Sequence, residues 1–116
     1  MKNILQYFEE SCKRFPDNIA VADESSSVTF KDLQTRSQQT GTMLAMNLEK
    51  HNAPVAIYID KSPVLVEAML SVLYSGNFYV VLDTLMPIER VRRIFETLEP
   101  IAVLTDHSHA DTVDKF

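Results

Sequence analysis

Apolar positions along this chain follow two rhythms. Ile4, Leu5, Phe8, Cys12 and Phe15 recur at steps of three and four, with Glu9, Glu10, Lys13 and Arg14 between them. That spacing lines one side of an amphipathic helix. Phe15-Pro16-Asp17 closes it, because a residue preceding proline is driven out of the helical region. A second stripe, Leu33, Ser37, Thr40, Gly41, Leu44 and Leu48, predicts a long helix from Lys31 to Lys50, opened by Thr29 with Asp32 three residues on. The small residues in its middle permit close approach of another backbone, while Gly41 costs up to about 1 kcal/mol of helix propensity. Ile88, Val91, Ile94, Phe95 and Leu98 form a third stripe, predicting a helix over Pro87–Leu98 with proline at its first position and Glu99-Pro100 as its stop.

The other rhythm is a run of apolar residues on successive positions, as in strands covered on both faces. Pro54–Ile59, Phe78–Leu82 and Ile101–Leu104 read this way. Between the first two, Ser62 is an N-cap, Pro63 a first helical residue and Gly76 a left-handed C-terminal residue, so a helix spans Pro63–Tyr74. The resulting strand–helix–strand core over 54–83 closes with a right-handed crossover. Ile19–Ala22 and Val28–Phe30, separated by the polar run Asp23–Ser27, predict a hairpin. Ser108, with Asp111 three residues on, opens a final short helix. The fold class is α/β, a three-layer-like parallel sheet with flanking helices plus a short N-terminal β-hairpin.

Composition narrows the function classes. The 116 residues fit one small domain or one piece of a larger one, burying roughly two thirds of the unfolded surface. A hydrophobic fraction of 46%, a charged fraction of 23% and a net charge of −5 describe an ordinary globular chain with no membrane span and no nucleic-acid surface, since phosphate neutralisation needs clustered cations. Only Arg90, Arg92 and Arg93 bunch together, interspersed with Glu89 and Glu96 as on a solvated helix face. The first residues lead straight into the amphipathic pattern and lack a signal-peptide core, so the expected location is cytoplasmic. Cys12 is alone, which leaves no disulfide framework within the chain.

Asp60, Asp83 and Asp106 each fall just past a predicted strand, at the edge where open α/β sheets hold ligands. A metal or phosphate site is one reading of them; turn residues leaving strands are the other. His107 and His109 lie beside Asp106 and Asp111 in a His-x-His spacing, short of the four ligands of structural zinc unless Cys12 or His51 approached. No nucleophile elbow, P-loop or dinucleotide fingerprint is present, and Gly41 and Gly76 are the only glycines.

The order of short motifs resembles the N-terminal end of the adenylate-forming superfamily, closest to the amino-acid adenylation domains of nonribosomal peptide synthetases, with D-alanine-activating ligases and acyl-CoA synthetases as cousins. Phe15-Pro16-Asp17-Asn18-Ile19-Ala20-Val21 is similar to the family's opening, and Val28-Thr29-Phe30-Lys31-Asp32-Leu33 to its first core motif. Lys61-Ser62-Pro63 resembles the segment before the helix that leads into the second motif. That motif is resembled by Leu73-Tyr74-Ser75-Gly76-Asn77-Phe78-Tyr79-Val80-Val81-Leu82-Asp83, with Val81 where its proline usually stands, and Pro87, Arg90 and Leu104-Thr105-Asp106 continue in register.

This resemblance implies that residues 1–116 are an incomplete N-terminal portion of an adenylation domain. The parent enzyme would use ATP and Mg²⁺ to make an acyl-adenylate and pass the acyl group to phosphopantetheine or CoA. No catalytic, cofactor-binding or metal-binding residue carries over onto this chain. Its partners would be the remainder of the domain and, for the parent, a carrier protein, with self-association through uncovered apolar area. A free-standing, receiver-like regulatory module using Asp60 or Asp83 is the alternative.

Overall fold

Val55, Ala56, Ile57 and Tyr58 are all buried on successive positions, so the strand they form is covered on both sides and the other elements are arranged around it. The computed structural model describes residues 3–116. In chain order the elements are α1 (Ile4–Arg14), β1 (Ile19–Ala22), β2 (Ser27–Thr29), α2 (Phe30–Asn47), β3 (Pro54–Tyr58), α3 (Pro63–Tyr74), β4 (Phe78–Val81), α4 (Ile88–Leu98), β5 (Ala102–Thr105) and α5 (Ala110–Val113). The central sheet runs β4-β3-β5, parallel throughout, and β1 and β2 form a separate antiparallel pair.

Alternation along β3 divides the core into two layers. Val55, Ile57 and Ile59 meet Ala68 and Val72 of α3, with Leu44 and Leu48 from the end of α2 behind them. Ala56 and Tyr58 meet Val91, Ile94 and Phe95 of α4, together with Val113 and Phe116. Helices on opposite faces are what two right-handed crossovers in opposite directions require, so the expected three-layer parallel sheet is present. A third cluster, Val28, Leu33 and Leu70, joins the hairpin to α2 and α3 and is covered by Leu5 and Phe8 of α1.

The stripe of small residues on α2 faces α3, whose backbone makes the close approach that the sequence permits. Leu33, Ser37 and Gly41 are buried there, and a Cβ on Gly41 would stand 2.6 Å from Tyr74 Cβ. Ser62 caps α3 by accepting from the Leu65 N–H at 3.2 Å, with Pro63 at the first turn. Gly76 has φ of 85°, the left-handed conformation expected of it.

Element ends differ from the sequence pattern where side chains or caps take over. The second helix begins at Phe30, earlier than Lys31, and stops at Asn47, three residues before Lys50, because Leu48 turns extended to join the core under β3. Pro87 is the residue before α4, with ψ of 139°, and Ile88 opens the helix. Ser108 does not start the last helix: its hydroxyl and the His109 N–H both bond Asp106 Oδ1, forming a turn that delays α5 to Ala110. One cap is present that the pattern did not suggest: Asn3 and Gln6 exchange reciprocal bonds at 2.9 Å, a complete capping box on α1.

Candidate functional site

The strand order makes one edge of the sheet special. The chain leaves β3 over one face to reach β4 and returns over the other to reach β5, so the direction of winding reverses between β3 and β5 at their carboxyl ends, where open α/β sheets take ligands. A polar residue from the segment after each strand joins one cluster at this edge. Asp60 follows β3, Thr84 follows β4 and His109 follows β5.

These residues converge on one oxygen. The Thr84 hydroxyl donates to Asp60 Oδ1, and His109 Nε2 lies 3.1 Å from the same atom. The imidazole is packed edge-on against the Tyr58 ring, with centroids 5.2 Å apart at 80°, and this orientation leaves Nε2 buried without a well-aligned hydrogen bond. Tyr58 Oη reaches the Thr84 carbonyl at 3.5 Å. The Thr84 hydroxyl, and after it the His109 imidazole, hold the Asp60 carboxyl below the usual aspartate range. The arrangement ties together the loops that follow the three strands.

The other sequence candidates do not join it. Asp83 Oδ1 accepts from Leu85 N–H at 2.9 Å, and Asp106 Oδ1 accepts from Ser108 and His109. Both are turn residues of their own loops. His107 is exposed while His109 is turned inward, and His51 lies beside Gly76, which precedes β4. Among the described residues no three His, Cys, Asp or Glu side chains are grouped as a metal would need. Arg92 is engaged with Glu89 at 2.8 Å and with the Lys115 carbonyl at 2.9 Å, while Arg90 and Arg93 lie on the exposed face of α4. Cys12 is buried with Sγ 3.5 Å from the Phe30 carbonyl, and burial, aided by Glu9, pushes its thiol up.

Beside the Asp60 cluster a hollow of about 620 Å³ is floored by Ile59, Leu65, Leu82 and Leu85. Leu85, one of its lining residues, is 91% exposed. Two glycines in the whole chain leave no run of free backbone N–H groups, and the ionisable side chains at this edge are mainly acidic. That composition does not complement the polyphosphate of ATP.

The family model for AMP-binding enzymes matches residues 8–116. The chain belongs to the AMP-binding enzyme family. Bacitracin synthase 1 of Bacillus licheniformis is 32% identical over 105 residues, covering 90% of this chain and 2% of that protein. Tyrocidine synthase 1 of Brevibacillus parabrevis is 30% identical over 112 residues, covering 97% of this chain and 10% of that protein. The N-terminal subdomain of Klebsiella oxytoca NpsA superposes with a TM-score of 0.83 at 23% identity, over 92% of this chain and 28% of that one, a likeness of fold. This AMP-binding family chain thus corresponds to the N-terminal part of an adenylate-forming enzyme of the peptide-synthetase adenylation type, and spans a small fraction of its relatives' length. No helix among its described residues is long and apolar enough to cross a membrane.

Proposed function

We infer that residues 1–116 act as the structural N-terminal corner of an amino-acid-activating adenylation domain, with β3 to β4 (54–83) as its centre. In the whole enzyme, a carboxylic or amino acid would attack the α-phosphorus of ATP to give an acyl-adenylate and pyrophosphate. The acyl group would then pass to a phosphopantetheine or CoA thiol. ATP with Mg²⁺ supplies the leaving pyrophosphate and its charge stabilisation; the groups that hold them would come from other parts of the enzyme. What this chain contributes is the shape of a sheet corner and its packing surfaces.

The observation carrying this reading is the unbroken family match over 8–116 on a chain whose edge carboxylates are engaged in turns and a loop tie. A relative named for making an L-cysteinyl-D-valine product supports amino acids as the acids activated. A solved neighbour described as an artificially fused adenylation–PCP di-domain supports a carrier protein as the partner of the whole enzyme. Family membership also removes the need for the receiver-like alternative, and Asp83, one of its two proposed phosphoacceptors, is already committed to its own turn.

The test is a segment exchange. The matching part of tyrocidine synthase 1 is replaced by residues 4–116 of this chain, and substrate-dependent exchange of labelled pyrophosphate into ATP is measured. A structural corner leaves the acid preference of the host unchanged in a folded chimera, and the chain by itself gives no exchange. A changed preference, or turnover by the chain alone, overturns the reading.

A further inference from the structure

We draw no further inference here: the strongest candidate, the Asp60–Thr84–His109 side-chain cluster at the carboxyl edge of the sheet with the hollow beside it, belongs to the site already described, and nothing in the structure shows what covers that hollow.

Discussion

Gly41 and Tyr74 approach so closely that a methyl group on Gly41 would sit 2.6 Å from Tyr74 Cβ and 2.9 Å from the Ser71 carbonyl oxygen. The first of these is a stem atom and the second backbone, so neither can swing aside. Alanine at 41 gains up to about 1 kcal/mol of helix propensity, but overpacking a close contact costs about 1–3 kcal/mol. Gly41→Ala is therefore expected to lower stability by about 1–2 kcal/mol in denaturant unfolding. A rise in stability would mean that α2 and α3 are not in contact along this line.

Tyr74 itself leads to the opposite sign. Its hydroxyl is buried with no aligned hydrogen-bond partner among the described residues, and burial pushes its phenol up, with Gln34 and Gln38 opposing part of that shift. An unsatisfied buried hydroxyl costs about 1–3 kcal/mol. Tyr74→Phe should hold or raise the melting temperature, and a clear loss would show that one of the two glutamines bonds the hydroxyl.

Glu99 ends α4 with φ of 50° and ψ of 59°, a left-handed conformation that sends its N–H to the Phe95 carbonyl. The side chain is exposed, so substitution there changes mainly the backbone. Left-handed backbone costs a non-glycine residue about 1–2 kcal/mol, and glycine escapes most of this despite its greater freedom when unfolded. Glu99→Gly should stabilise by up to about 1 kcal/mol in thermal or chemical unfolding. Asn52, at φ of 55°, already tolerates this region, so Asn52→Gly should change stability much less.

The Asp60 tie sets an acid limb to stability. Because the folded carboxyl is held below its ordinary value, its contribution is complete above the ordinary aspartate pKa of about 3.9. It is lost as pH falls through the lowered folded value. Thr84 is the larger cause and His109 the smaller. Thr84→Val should therefore move the Asp60 titration, followed by carboxyl carbon resonance, further upward than His109→Gln does. Asp60→Asn should flatten the acid limb. If His109→Gln gave the larger movement, the imidazole and not the hydroxyl would be the main partner.

Sequence and tertiary structure divided the work along physical lines. Local geometry needs only local residues, so Ser62-Pro63 and Gly76 announced the ends of α3, and the unbroken apolar run 54–59 announced a strand covered on both sides, whereas the run 78–82 leaves Phe78 and Val81 46% and 41% exposed. The small residues of α2 even foretold a close neighbour, though not that it would be Tyr74. Family membership was legible for a similar reason: its motifs are short, ordered and continuous in the chain. The order β4-β3-β5 was decided only in three dimensions, because hydrophobic runs state that a strand is buried without stating its neighbour. The same holds at the carboxyl edge. Asp60, Asp83 and Asp106 look alike as aspartates after strands; only the packing of three loops sent Thr84 and His109, 24 and 49 residues downstream, onto Asp60 while leaving the other two carboxylates to their own turns.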